Sequence, residues 1–153
     1  MIKKANLGQV DQVKEIADKY TEELGFIVKA SVIEAIKNEE LIVKIQNGDV
    51  IGFCKYHRRK DNWTTIYEIA VLEEYRGEGY GKQLINYLLQ RKHCINLKCP
   101  VDNKSNKFYK KIGKYVKTIE GKNRKLNLYI ILPKGIKLKS SSQNPANKKI
   151  RRE

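Results

Sequence analysis

The chain has 153 residues, enough for one domain with a proper core and short for two. Its composition, 41% hydrophobic and 32% charged with a net charge of +15, fits a soluble globular protein, and "LYIIL" (128–132) is strand-sized rather than membrane-spanning. Cys54, Cys94 and Cys99 form no CxxC pair and only His57 and His93 accompany them, so no metal site is expected; the odd cysteine number and the lack of a signal-like leader point to a reducing cytoplasm.

"MIKKA" predicts a short first strand. "VDQVKEIADKYTEEL" follows, with Val10, Val13, Ile16, Ala17 and Tyr20 at helical spacing. Ser31 is placed to cap a second helix, "VIEAIKN", through its hydroxyl. "LIVKIQ" and "VIGFCKYHRRK" flank Asn47-Gly48, a pair that tolerates positive φ and predicts a hairpin. A further turn at Asp61-Asn62 leads into the strand "WTTIYEIAVL", and then come three glycines at alternate positions and the helix "YGKQLINYLLQRK". Leu84, Ile85, Leu88 and Leu89 share one face of that helix. "CINLKCP" is a strand stopped by Pro100. "NKSNKFYKKIG" predicts a helix ended by Gly113 as a C′ glycine. "KYVKTIE" and "KLNLYIILP" close the domain as a last hairpin.

The order β-α-α-β-β-β-α-β-α-β-β implies a mixed α/β sheet with helices on both faces. No internal repeat is present. Residues 1–132 form one domain in this reading. From Pro133 the composition shifts to seven basic and one acidic residue, predicting a flexible basic tail over 133–153. Such a tail serves either as a solubilising extension or as a contact for nucleic acid or an acidic partner.

The charge is lopsided. Residues 1–75 carry 11 basic and 13 acidic side chains, whereas residues 76–153 carry 21 basic and 4 acidic. The surplus starts inside "EEYRGEGYGKQL" (73–84), where Gly77, Gly79 and Gly81 stand between strand and helix. A helix N-terminus offers open N–H groups and partial positive charge, and glycines let a phosphate reach that backbone. Arg76 and Lys82 flank the turn, and a guanidinium can grip two phosphate oxygens at once. Neither GxxxxGK[ST] nor GxGxxG fits the spacing, which excludes the common nucleotide loops.

"YRGEGYGKQLI" matches the R/Q-x-x-G-x-G/A acetyl-CoA signature through Arg76, Gly79 and Gly81, after a strand "YEIAVLEE" and before a tyrosine helix, "CPVDNKSNKFYKKIG". In these segments, over residues 65–115, the chain resembles the GNAT superfamily of N-acetyltransferases, and the element order extends the resemblance to residues 1–132. The resemblance implies a mostly antiparallel central sheet of six to seven strands with one parallel central pair. It implies acetyl-CoA as cosubstrate, with no metal, lying in an opening between the strands at 64–72 and 94–99. Ile69, Ala70 and Val71 would pair with the pantetheine arm, the Val71 N–H polarising the thioester carbonyl. Gly77, Glu78, Gly79, Tyr80, Gly81 and Lys82 would hold the pyrophosphate beside Arg76.

The amine acceptor must lose a proton before it attacks. Glu68, among Tyr67, Ile69, Ala70 and Val71, is the candidate base, a partly desolvated carboxylate with a raised pKa. Its other reading is a strand carboxylate paired across the sheet, perhaps with a lysine, and a water-relayed base stays open. Tyr109 matches the family tyrosine at the departing thiolate, its other reading being a core aromatic. Asn103 is matched to the pantetheine amide, with Asp102 or Asn106 as substitutes. An acyl-enzyme at Cys99 is disfavoured, because no histidine stands near it in sequence.

These features together imply a cytoplasmic N-acetyltransferase acting by direct transfer to a primary amine, on a small molecule or a protein. The positive field suits a phosphorylated acceptor better than a polyamine. A homodimer is compatible with the resemblance, and no membrane partner is expected. The alternatives are a basic nucleic-acid-binding module and a non-catalytic acyl-CoA sensor of the same fold.

Overall fold

Seven strands form a single sheet in a computed structural model that describes residues 1–137. In chain order they are β1 (Ile2–Lys4), β2 (Leu41–Gln46), β3 (Asp49–Arg58), β4 (Trp63–Val71), β5 (Cys94–Pro100), β6 (Lys114–Glu120) and β7 (Lys125–Ile131). Their spatial order is β1-β2-β3-β4-β5-β7-β6. Every neighbouring pair is antiparallel except β4 and β5, which are parallel. A parallel pair needs a crossover. Helix α4 (Tyr80–Leu89) supplies it.

Alternation along the strands gives the sheet two apolar faces. Leu41, Val43 and Phe53 pack with α1 (Val10–Lys19) and α3 (Lys29–Lys37), which bury Val13, Ile16, Val32 and Ile36 against them. Ile42, Cys54 and Tyr56 point the other way, into a cluster with Leu84, Ile85 and Leu88 of α4 and Tyr109 of α5 (Asn106–Ile112). Each fully buried aliphatic side chain contributes about 1.5–3 kcal/mol to this packing. Hence the expected mixed sheet with helices on both faces is what forms.

Local chemistry departs from expectation in three places. The long first helix breaks at Tyr20, whose backbone leaves the helical region (φ −121°, ψ 37°), and resumes as the short α2 (Thr21–Leu24). The Tyr20 hydroxyl accepts a hydrogen bond from the Glu73 N–H at 2.7 Å, tying the break to the end of β4. Ser31 does not cap α3, because that helix begins two residues earlier and Val28 stands at the N-cap. Its hydroxyl instead accepts a hydrogen bond from Lys55 Nζ at 2.7 Å. Gly113 ends α5 in extended backbone (φ −138°), not as a left-handed C′ residue. Glycine is needed there because a Cβ would lie 2.7 Å from the Ile130 carbonyl oxygen.

Asn47 and Gly48, at φ 53° and 83°, make the expected tight hairpin turn. Cys54 and Cys99 are buried and Cys94 is half-buried, all as free thiols. Of the basic tail expected from Pro133, residues 133–137 fold back through an Ile136 N–H to Pro133 carbonyl hydrogen bond. Residues 138–153 lie outside the described residues. Among the described residues no helix is long and apolar enough to cross a membrane.

Candidate active site

The parallel pair β4–β5 holds together only from Trp63–Cys94 to Ile66–Leu97. Past that point the strands part, and a bulge on β4 marks the place. Lys55 of β3 pairs with Glu68 and Tyr56 with Ile66, which leaves Tyr67 as the extra residue. A bulge bends its strand and increases local twist. β4 stays paired with β3 as far as Val71, so the edge of residues 68–71 toward β5 has no strand beside it. The Leu72 N–H crosses to the Ile51 carbonyl of β3 at 2.9 Å. Alternation therefore turns the N–H groups of Ile69 and Val71 the other way, into the gap.

A cleft of about 490 Å³ opens at that edge. Ile69, Ala70 and Val71 line it on one side, and Ser105, Phe108 and Tyr109 line it on the other. Its far end is the glycine turn. Gly77 and Gly79 adopt φ 85° and 82°, where a side chain is strained, and a Cβ on either would meet nothing within 4 Å. Gly79 is also the N-cap of α4. The first helical bond runs from the Gln83 N–H to the Gly79 carbonyl, so the N–H groups of Tyr80, Gly81 and Lys82 have no acceptor within the helix. Bare backbone and open donors thus face empty space at a positive helix end, a cradle shaped for phosphate oxygens. Gly81 has a different reason, since a Cβ there would press on the Phe108 ring at 3.2 Å.

Side chains around the turn are committed in ways the spacing did not reveal. Arg76 Nε donates to the Val71 carbonyl at 2.9 Å, and its guanidinium lies 4.6 Å over the Tyr20 ring. It braces the base of the cleft while still lining it. The Tyr80 hydroxyl donates to Gln46 Oε1, so Tyr80 offers the cleft its backbone amide. Lys82 lines the cleft; Glu78 is exposed and does not.

A second cavity, of about 520 Å³, opens on the other side of the gap and shares Glu23, Leu24, Ile69, Ser105 and Tyr109 with the first. A bound molecule in each would meet at those residues. The two cavities thus meet at the split in the sheet, one of them ending at the open N–H groups of α4.

A family model described as the acetyltransferase (GNAT) family matches residues 10–113. The chain belongs to that family. Solved structures share the fold at low identity. Ard1 from Thermoplasma volcanium superposes with a TM-score of 0.73 at 20% identity, over 86% of this chain and 97% of its own. Rv2747 from Mycobacterium tuberculosis, in complex with CoA and NLQ, gives 0.68 at 16% identity over 86% and 99%. The ribosomal-protein-S18-alanine N-acetyltransferase from Escherichia coli gives 0.66 at 14% over 90% and 99%. No curated protein matches the chain.

Within this GNAT frame Glu68 lines the second cavity and not the first. The bulge puts it there. Glu68 is two residues from Ile66, yet it sits opposite Lys55 on the face away from Ile66 and Tyr56. Lys55 Nζ is 3.8 Å from Glu68 Oε2, beyond hydrogen-bond reach, so the cross-sheet lysine pair is present as a charge contact. That oxygen is buried with no hydrogen-bond partner. Desolvation raises the Glu68 pKa above the ordinary carboxylate range, and Lys55 opposes the rise.

Tyr109 reaches both cavities and packs at 5.6 Å from Tyr129, so it is a core aromatic and a cleft residue together. Burial pushes its hydroxyl well above the usual tyrosine range, with Cys99, Cys54 and Tyr129 adding to the rise. It is a protonated donor at any physiological pH.

Asn103 Nδ2 donates to the Glu23 carbonyl at 2.9 Å and its Oδ1 accepts from the Ser105 N–H at 2.8 Å. It ties α2 to the loop before α5. Asn106 is fully spent on structure. Its amide donates to the Pro100 and Asn103 carbonyls, and its Oδ1 accepts from Asn127 and the Tyr129 hydroxyl. Asp102, the other substitute, is exposed and lines neither cavity. Cys99 lies 3% exposed with its thiol pushed up to about 11 by burial, a poor nucleophile.

Thr65 and Asn96, which sequence reading missed, line the second cavity beside His57 and Arg59 of the basic stretch "YHRRK". His57 Nδ1 lies 2.7 Å from Glu40 Oε2, which also accepts the Arg58 N–H. Thr65 pairs in register with His57 on one side and Asn96 on the other, so three side chains form a row across the sheet. Asn96, 2% exposed, accepts a hydrogen bond from the Thr65 hydroxyl on Oδ1 at 2.7 Å, and its Nδ2 has no partner. Leaving a buried donor unmade costs about 1–3 kcal/mol. No local motif announces such a row; only the strand register assembles it. Among the described residues no group of three or more His, Cys, Asp or Glu is placed to hold a metal ion.

Proposed function

We propose that the chain is an acetyl-CoA-dependent N-acetyltransferase that transfers acetyl directly to a primary amine. One observation carries this reading: the edge of β4 at residues 68–71 lies bare in the gap and runs into the glycine turn at the start of α4. An extended pantetheine arm pairs with that edge as an added strand would. The Ile69, Ala70 and Val71 backbone holds it, with the Val71 N–H donating to the thioester oxygen as negative charge develops there. The turn from Gly77 to Lys82 holds the pyrophosphate. The CoA bound by Rv2747 supports this use of the shared fold.

The acceptor enters the second cavity as an ammonium and gives one proton to Glu68. Its nitrogen lone pair then attacks the thioester carbonyl carbon. On collapse the C–S bond breaks, the thiolate takes a proton from Tyr109, and the proton released from the new amide nitrogen restores Tyr109. The products are the N-acetyl compound and CoA thiol, with one proton on Glu68 to be passed to solvent. Burial keeps the Tyr109 hydroxyl protonated and able to hydrogen-bond the departing sulfur, its proton being replaced from the amide nitrogen in the same step. Desolvation raises the Glu68 pKa, which makes it a stronger base. Asn103, expected at the pantetheine amide, lines the second cavity and not the first, so in this scheme it stands on the acceptor side. An acetyl-cysteine at Cys99 is not part of this scheme.

Thiol released from acetyl-CoA across a panel of amines tests the proposal. Turnover lost in Glu68→Gln with acetyl-CoA affinity kept supports it. Acetyl-CoA binding with no turnover on any amine makes the protein a sensor instead. A second reading concerns residues 103–137, which hold eleven basic side chains and one acidic. A segment of that charge suits a polyanion such as nucleic acid. Binding would then fall steeply with salt and be indifferent to acetyl-CoA.

A further inference from the structure

The second cavity carries more chemistry than a proton acceptor requires. Four side-chain polar atoms among the described residues are buried without a hydrogen-bond partner: Arg59 Nε, Glu68 Oε2, Asn96 Nδ2 and His93 Nδ1. Three of the four residues that carry them, Arg59, Glu68 and Asn96, line this one cavity. Glu68 Oε2 answers to the acceptor's ammonium. The other two, Arg59 Nε and Asn96 Nδ2, are both donors.

The donors are held in place. Thr65 donates to Asn96 Oδ1, which fixes the amide so that its NH₂ is the end left to bond. Arg59 is 15% exposed, and its Nη2 contacts Asp61 at 3.3 Å, which leaves Nε for a ligand. Arg124 lines the same cavity. The other carboxylates around it already have partners: Glu23 with Lys104 at 3.3 Å and Glu40 with His57 at 2.7 Å. What the cavity lacks is an acceptor of hydrogen bonds carrying negative charge.

We propose that the amine acetylated by this protein carries an anionic oxygen group, a carboxylate or a phosphate, that binds Arg59 and Asn96 while its ammonium faces Glu68. The proposal rests on the N-acetyltransferase reading and narrows its substrate class. Spacing supports a compact molecule. Thr65, beside Asn96, and Glu68 are separated on β4 by two pleat positions once the bulge is discounted, roughly 7 Å. A small amino acid or aminoalkyl phosphate spans that distance with a hydrogen bond at each end. Arg59 can engage either group in charge-assisted hydrogen bonds.

Matched pairs test it on the unmodified protein: an amino acid against its carboxamide, and an aminoalkyl phosphate against the parent amino alcohol. Thiol release is measured for each, and acetyl-CoA binding is followed separately by thermal shift. The expected result is at least a tenfold higher kcat/KM for the anionic member of one pair or both; which pair responds identifies carboxylate or phosphate. In Arg59→Gln that preference shrinks about tenfold, chiefly through KM. Acetyl-CoA binding with equal or better turnover of the neutral members overturns the anionic-acceptor proposal alone. Failure of acetyl-CoA to bind overturns the transferase reading beneath it.

Discussion

The two cavities flanking the β4–β5 gap are made of different material. The donor cleft is largely backbone: the bare edge of residues 68–71, two glycines at positive φ, and three N–H groups opening α4. The acceptor cavity is side chain: His57 with Glu40, Thr65 with Asn96, Glu68 with Lys55, and Arg59. Backbone presents the same donors whatever the residue, so it suits a ligand that never changes. Side chains present individual charge and shape, so they suit the partner that distinguishes one enzyme from its relatives. On the proposed function, specificity therefore resides on the acceptor side of the gap.

Substitutions at the boundary separate the two halves of that division. Glu68→Gln removes the proposed base and leaves the first cleft intact. Its kcat is expected to fall by about 10²–10⁴ while acetyl-CoA affinity holds. A matching loss of affinity, read by calorimetry, would mean that Glu68 belongs to both cavities. Tyr109→Phe keeps the packing against Tyr129 and deletes the donated proton, for an expected drop of about 10–10² in kcat. An acetyl donor with a more basic leaving thiolate is expected to be hit harder, and a kinetic comparison of acetyl thioester analogues reads this.

On the donor side, Gly79→Ala forces a Cβ into left-handed backbone at the cradle. About 1–2 kcal/mol of fold stability and roughly tenfold in acetyl-CoA affinity are expected to go. Thermal melts and calorimetry measure both, and an unchanged affinity would remove the glycine turn from the binding site. The smallest expected effect concerns pH. Glu68 must be ionised to act, so kcat/KM rises with pH along a limb set by its raised pKa. Lys55 holds that pKa down. In Lys55→Met the limb moves to higher pH, and in Glu68→Gln it disappears. A limb that moves to lower pH contradicts the assignment.

This same contrast explains what the sequence could disclose. The strand, the glycine turn, the helix and Tyr109 lie within one continuous stretch, and each has a local signature in glycine spacing or helical periodicity. Register has no such signature. Simple alternation from Ile66 puts Glu68 on the α4 face; the bulge at Tyr67 carries it to the other, opposite Lys55. Asn96 reads as one polar residue in an apolar strand until pairing sets it beside Thr65. Ser31 reads as a cap because its hydroxyl precedes an apolar run, and the lysine that claims it lies 24 residues away. Gly113 likewise reads as a local stop signal, whereas its reason is the backbone of Ile130 across the packing.

The most direct test of the central claim is a melting curve recorded with and without acetyl-CoA. At a hundredfold excess over the dissociation constant, a ligand seated on the β4 edge and the glycine turn should stabilise the fold by about 2.7 kcal/mol, seen as a rise in Tm that grows with concentration. A Tm that stays put at millimolar acetyl-CoA would contradict a CoA site in the gap, and with it the transfer chemistry built on it.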